Sequence, residues 1–368
     1  MIRASQGVRS PVKREGAERY LLLSLISFAI SVIFTRLFLQ VTGYPQLGNG
    51  QLHIAHVLWG GLLLFIASLL PLILANRWAL NTSAILSGVG VGLFIDEVGK
   101  FITQSNDYFY PPAAPIIYAF FLITVLLYLT IRRRTPPEPR SEFYLILDDL
   151  TEILDHDLDP DERADLEQRL YVVASSTEDI NLQHLAVSLA NYLKGEHLLL
   201  VKPRVTTIQR LGKQISRMVE KVMTRPRLKI FLISTLGGMG VIAMIEFGLL
   251  LLALPSHQRG IEALILPMVT RGELHSARDA LWFIVRTILE GGTGIFLIVA
   301  GGMLSVGHDR RGIRLATMTL VIWLTVINLL VFYLDQFSAI ITAMFQFVIF
   351  LALTYYQRKY LQTSPPQI

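Results

Sequence analysis

Apolar residues fall into eight stretches of membrane length, at 20 to 41, 52 to 75, 83 to 103, 113 to 131, 229 to 254, 280 to 304, 314 to 334 and 337 to 357. Crossing the hydrocarbon core of a bilayer takes about 20 such residues in a helix, so each stretch predicts a span. Between the fourth and the fifth the pattern changes. From 138 to 197 acidic residues number 15 against 4 basic ones, and segments such as EFYLILDDLTEIL and DERADLEQRLYVVA carry apolar residues at helical spacing. Asp159 or Asp161 is placed to cap the second of these helices, with Pro160 near its start. The expected fold is all-α: a polytopic membrane helix bundle with a helical cytoplasmic insert. The division follows, with residues 1–134 as a first membrane half, 135–227 as the insert and 228–368 as a second half.

Composition agrees with this pattern and adds an orientation. A chain that is 52% hydrophobic and 17% charged has too little polar surface for an ordinary soluble domain. Basic residues gather in the N-terminal arm, at Arg77, at Arg132, Arg133 and Arg134, at Arg310, Arg311 and Arg314, and at Arg358 and Lys359. With eight alternating spans these all fall on one side, which the positive-inside rule makes cytoplasmic, together with both termini. The net charge of +5 is therefore a topology signal and not a nucleic-acid footprint. The basic arm before the first span reads as flanking a retained helix and not a cleaved signal. From 202 to 229 nine basic residues stand against Glu220 alone, and IQRLGKQISRMVEKVM sets apolar and cationic faces apart. The stretch from 204 to 229 is expected to lie on anionic lipids of the inner leaflet; docking on the acidic helices of the insert is the alternative.

Ionisable residues at membrane depth are costly and are usually kept for ion paths, substrates or structural pairing. They concentrate in GVGVGLFIDEVGKFITQSNDYFYPPAAP, from 88 to 115. Gly88, Gly92, Asp96, Gly99 and Thr103 recur at steps of three and four, which places Asp96 on a seam where another helix can come close. Glu97 lies on the next row, and Lys100 is in reach of both acids. One lysine cannot neutralise two carboxylates. Arg36, beside the Ser24, Ser27, Ser31 and Thr35 stripe of the first span, is the candidate counter-charge; snorkelling to the interface is its bland alternative. Counting at about 1.5 Å per residue puts Arg36, Asp96, Glu246 and Arg286 on the order of 10 Å below the outer face, with Glu290 slightly deeper. Asp107 and Tyr108, in the proline-stiffened loop that follows, would rim the mouth of a polar cavity there; anchoring in the interface is the plainer role for that tyrosine.

His53 and His56, one turn apart if the second span starts as a helix, are candidate ligands for a divalent metal, with Asp96, Glu97 or Asp107 supplying oxygens. Nonspecific hydrogen bonding at the interface is the competing role. The chain has no cysteine, no HExxH, no Walker loop and no GxSxG. DHDLDPDE opens like a calcium loop, but Pro160 and Leu166 occupy the places of the required glycine and bidentate glutamate.

Setting WGG at 59 to 61 against EGG at 290 to 292 brings the two halves into step, the register of a 4+4 parallel repeat. IDEVGKFIT followed by NDYFYPPAAPIIY resembles a motif of a family of bacterial polytopic inner-membrane proteins without an assigned activity. The resemblance spans the third helix, its loop and the start of the fourth, and implies a bacterial inner-membrane location. The expected function is binding or transport of a small polar solute, ion or proton through an outward-opening cavity lined by Asp96, Glu97, Lys100, Arg36, Glu246, Arg286, Glu290, Asp107 and Tyr108. The alternatives are a metal-dependent enzyme acting on a lipid or isoprenoid at the outer leaflet, and a non-catalytic scaffold or signalling protein working through its insert.

Overall fold

The computed structural model of the chain describes residues 11–43, 48–49, 52–53, 55–108, 110–132, 138–154, 158–195, 198, 200–201, 223–253 and 277–361. The amphipathic helix expected at 208 to 223 and the loop from 255 to 278 lie mostly or wholly outside these residues. Apart from a two-residue antiparallel ladder, β1 (Gly48–Asn49) with β2 (Leu52–His53), the regular structure is helical. Among the described residues seven helices are long and apolar enough to cross a membrane.

Four come first: α1 (Ala17–Thr42), α2 (His56–Ile73), α3 (Arg77–Asp96) and α5 (Ala113–Ile131), with the short α4 (Val98–Ile102) before α5. Two of the expected spans need correction at their ends. The second does not begin at residue 52, because 52 and 53 are extended and the helix starts at His56. The third does not run to 103: it stops at Asp96, where Glu97 takes φ −92 and ψ 10, and α4 sets off afresh. The later spans are α10 (Arg225–Ala253), α11 (Ala277–Ser305) and a 53-residue stretch, Asp309–Leu361.

That last stretch would be about 80 Å long if straight, well over twice the thickness of the hydrocarbon core. It consists of α12 (Asp309–Ile322), a π-helical turn (Trp323–Ile327), α13 (Asn328–Asp335), a 3-10 turn (Gln336–Ser338), α14 (Ala339–Tyr356) and a closing π turn (Gln357–Leu361). The Asp335 to Ser338 bend folds it back on itself. Asn328 donates to Gln346 at 2.8 Å, and Tyr356 donates to Asp309 at 2.7 Å, so its two legs meet at mid-length and at the far end.

Two compact units partition the chain, one of residues 1–22 and 127–217, the other of 23–126 and 218–368. In the first, α6 (Pro139–Asp149), α7 (Thr151–Leu154), α8 (Pro160–Ser176) and α9 (Ile180–Leu193) enclose Phe143, Ile146, Leu166, Leu170, Ala186, Ala190 and Leu193. Asp159 is the cap of α8, in a capping box with Glu162, which satisfies amides that the first turn leaves open. In the second unit small residues set the helix spacing. A methyl on Gly88 would run into the Ser24 carbonyl and one on Gly92 into Ser31, so the glycine seam of α3 is met by the serine stripe of α1. Gly60 of α2 faces Gly90 of α3, and Gly240 of α10 faces Gly294 of α11.

Candidate functional site

The α1–α3 seam delivers Arg36 to Asp96. The guanidinium donates from Nε to the Asp96 carboxylate at 2.5 Å and from Nη2 to the Asp96 backbone carbonyl at 2.9 Å. Both residues are buried, Asp96 completely. The end of α3 creates the second contact, because that carbonyl, left without a helical partner, is free to accept from Arg36. Removing a charge from such a pair is costly, about 3–5 kcal/mol, since the other is left without compensation.

His56, the first residue of α2, stands between the two acids. Its Nε2 lies 3.1 Å from Asp96 Oδ2 and its Nδ1 lies 2.9 Å from Glu97 Oε1. Each of these contacts needs one hydrogen, carried on nitrogen or on oxygen, so the trio holds two shared protons. Lys100, one turn beyond the break, reaches Glu97 at 3.3 Å. Tyr108 folds back from the loop to donate to Asp96 Oδ2 at 2.6 Å, with its ring 4.2 Å from the Arg36 guanidinium carbon and 5.1 Å from the Lys100 nitrogen. The backbone of Asp107 is pinned as well: its amide donates to Thr103 at 2.8 Å, and its carbonyl sits where a methyl on Gly99 would fall. Two polar atoms remain buried without a hydrogen-bond partner, Arg36 Nη1 and Glu97 Oε2. No family model, curated protein or solved structure matches this chain.

Arg36, His56, Asp96, Glu97, Lys100 and Tyr108 thus form one hydrogen-bonded cluster. With both shared protons in place its formal charge is one positive; with one proton gone it is neutral.

Other candidates go elsewhere. Arg286 pairs with Glu290 at 3.0 Å on its own helix and with both oxygens of Asp335 at 2.9 and 3.1 Å, a second cluster in the same unit. Glu246 is near enough to Arg286 and Glu290 to interact with their charges, yet it is exposed on α10, so it is not a buried member of that cluster. Counting residues along a span says nothing of the direction a side chain faces. His53 lies in β2 and not on α2, so the two histidines are not one helical turn apart. Among the described residues no group of three or more His, Asp or Glu could hold a metal, and with His56 engaged at both nitrogens no ring lone pair faces an open position.

Three participants were not singled out from the sequence. Asp335 is a lone acid at the end of an apolar stretch. Phe337 packs on Arg36, its ring centroid 3.5 Å from the guanidinium carbon. At the other end of the bundle Asp309 collects Lys229 at 2.7 Å, Arg225 at 3.3 Å and the Tyr356 hydroxyl, tying α10, α12 and α14 together. Nothing local marks Phe337, which is one of 19 phenylalanines in an apolar chain. Asp309 carried a signal, an acid opening a run of arginines.

Proposed function

We propose that this chain is an integral protein of a bacterial inner membrane that moves protons through the Glu97–His56–Asp96 relay. The observation that carries the reading is the imidazole spanning two buried carboxylates through its two different nitrogens. A proton arriving on Glu97 passes to Nδ1 while the Nε2 proton leaves for Asp96. The ring, left as the Nδ1–H tautomer, resets by exchanging tautomers before the next transfer. Chains of Asp, Glu and His inside a membrane are the ordinary means of proton relay. Arg36 and Tyr108 hold Asp96 as the receiving end, and Lys100 holds Glu97 at the entry, where the unpartnered Oε2 offers a lone pair to an incoming proton.

The bent Asp309–Leu361 stretch counts as two crossings in this reading, giving eight, with both termini in the cytoplasm and the relay toward the outer face. The basic stretch from 204 to 229 then lies at the inner leaflet. The Ile-Asp-Glu-Val and Asn-Asp-Tyr-Phe motif resemblance supports the bacterial assignment.

Reconstitution into liposomes with a trapped pH-sensitive dye, under a potassium-driven membrane potential, tests the relay. Wild type should acidify or alkalise the lumen with the sign of the potential, and His56→Gln, Asp96→Asn and Glu97→Gln should each lower the rate about a hundredfold or more, the low end of what a positioned acid–base group contributes. A wild-type rate equal to the leak of empty vesicles would end the proposal.

A further inference from the structure

Two of the ionic clusters of the membrane unit share one turn. Asp335 ends α13 and holds Arg286 with both carboxylate oxygens. Phe337, two residues on, has its ring centroid 3.5 Å from the Arg36 guanidinium carbon, which the Tyr108 ring also approaches, at 4.2 Å. Between them Gln336 has φ +49, a left-handed backbone that a residue with a side chain adopts only where its surroundings hold it there. Those surroundings are visible on both sides. Ser338 closes the turn by donating to the Asp335 carbonyl, and Phe337 packs against the apolar cluster of Phe28, Val32 and Ile117 as well as the larger one that contains Tyr118 and Phe332.

A single strained residue therefore separates a side chain clamped in one ionic site from a side chain clamped in the other. Freeing Asp335 from Arg286 removes one of the constraints that keep Gln336 left-handed. As Gln336 relaxes toward ordinary backbone, the direction of the Phe337 side chain must change. Arg36 then loses that ring. Its Nη1 has no hydrogen-bond partner to compensate, so the guanidinium is held by Asp96 and Tyr108 alone. Coupling of this kind travels through contiguous packed groups, and the turn is packed against both sites.

We propose that Phe337 is a positioning residue for the Arg36–Asp96 pair, and that the turn from Asp335 to Phe337 reports the state of the Arg286 site to the His56 relay. The consequence for proton movement rests on the relay reading; the mechanical link does not.

The test uses the full-length protein in lipid nanodiscs, labelled with 15N-histidine, with the His56 ring signals assigned by their absence in His56→Gln. Phe337→Ala should shift these signals at fixed pH, because Asp96 shares its hydrogen bonds between Arg36 and His56, and Phe337→Tyr should leave them in place. Asp335→Asn and Arg286→Gln should both shift them in the direction of Phe337→Ala, and Asp335→Asn combined with Phe337→Ala should move them no further than Phe337→Ala alone. The two ion-pair variants change charge in opposite senses, so a direct field effect would drive the signals apart. Opposite shifts, unshifted signals in Asp335→Asn and Arg286→Gln, or additive shifts in the double variant would each overturn the proposal. Nanodisc samples are compared only where helical circular dichroism matches wild type; having two independent ways of freeing Asp335 keeps the test open if one variant misfolds. Vesicles that pass no protons while the shifts appear would remove the relay and leave the coupling standing, and relay activity without the shifts would do the reverse.

Discussion

Tyr118 donates its hydroxyl to the backbone carbonyl of Leu324 at 2.7 Å, across 206 residues of sequence. In an unbroken α-helix that carbonyl would accept from the amide of Asn328. The π turn from Trp323 to Ile327 sends the Asn328 amide to Trp323 instead, and so releases Leu324. Asn328 then turns its side chain to Tyr118 at 3.3 Å and Gln346 at 2.8 Å, closing a buried polar network in an apolar region. Tyr118→Phe leaves the Leu324 carbonyl without its donor and keeps the ring that stacks on Phe332 at 4.5 Å. The expected loss is about 0.6–1.7 kcal/mol, the range measured for hydrogen bonds between membrane helices. Reversible unfolding in mixed micelles would measure it; a variant as stable as wild type would mean that the π turn satisfies its own carbonyl.

Close approach of α1 and α3 makes a sharper prediction. A methyl at position 88 would come within 2.2 Å of the Ser24 carbonyl oxygen, a backbone atom that cannot move without its helix. Gly88→Ala should therefore cost about 1–3 kcal/mol as an overpacked contact. Gly237→Ala, where a methyl meets nothing within 4 Å, should be neutral or gain up to about 1 kcal/mol from helix propensity. Parallel thermal melts decide the matter. Equal effects at the two positions would remove steric fit as the reason for the glycine seam.

These two sites also mark how far the chain could be read in advance. The apolar stretches, the capping box at Asp159 and the small-residue faces of α1 and α3 are local patterns with a period of 3.6 residues, and each is written out in consecutive sequence. Arg36 could be matched to Asp96 because both are costly at the same depth, and a seam of glycines needs a partner. What could not be read is azimuth and neighbourhood. Phe337 stacks on a residue 301 positions away, and no local pattern says which helices adjoin. The break at Glu97 has no proline or glycine at the residue itself; it is bought by the contacts that Arg36 and His56 make with the freed end of α3. The two histidines read as a helical metal pair because the apolar stretch begins at 52, four residues before the helix starts at His56. Glu246 was grouped with the others by its count along the span, but only packing fixes the face, and on α10 it is exposed.

Arg169 organises the first unit as Asp96 organises the second. Its guanidinium takes Glu142 at 2.5 Å and Asp149 at 2.7 Å, with Asp165 at 3.5 Å and Glu15 at 3.8 Å around it, joining α8 to α6 and to the arm before α1. Burial works against its charge, but the hydrogen bonds to Glu142 and Asp149 outweigh burial and hold its pKa above the ordinary arginine value. It stays charged at any working pH. A planar fork serves several carboxylates at once where an ammonium cannot, so Arg169→Lys should recover less than half of what Arg169→Ala loses. The alanine variant is expected to lose about 1–3 kcal/mol, and the loss should shrink in molar salt because the group is partly solvated. Limited proteolysis of the full chain between residues 138 and 195 would follow it. Full rescue by lysine would mean that charge alone matters there.

The Arg36–Asp96 pair separates a structural role from a proton-handling one. Arg36→Gln strands Asp96 with His56 and Tyr108, and Asp96→Asn strands a buried guanidinium, so each single variant should cost about 3–5 kcal/mol. Replacing both, as Arg36→Met with Asp96→Leu, removes the uncompensated charge and should cost much less than the sum, a coupling that a double-variant cycle reads directly. If the pair served stability alone, the double variant would recover whatever activity the protein has along with its fold. The relay requires otherwise: Asp96→Leu leaves His56 with no acceptor at Nε2, so the double variant should melt near wild type and still fail to pass protons. A double variant that is both stable and active would show Asp96 to be a structural anchor, and would move the search for the working groups to Glu97 and beyond.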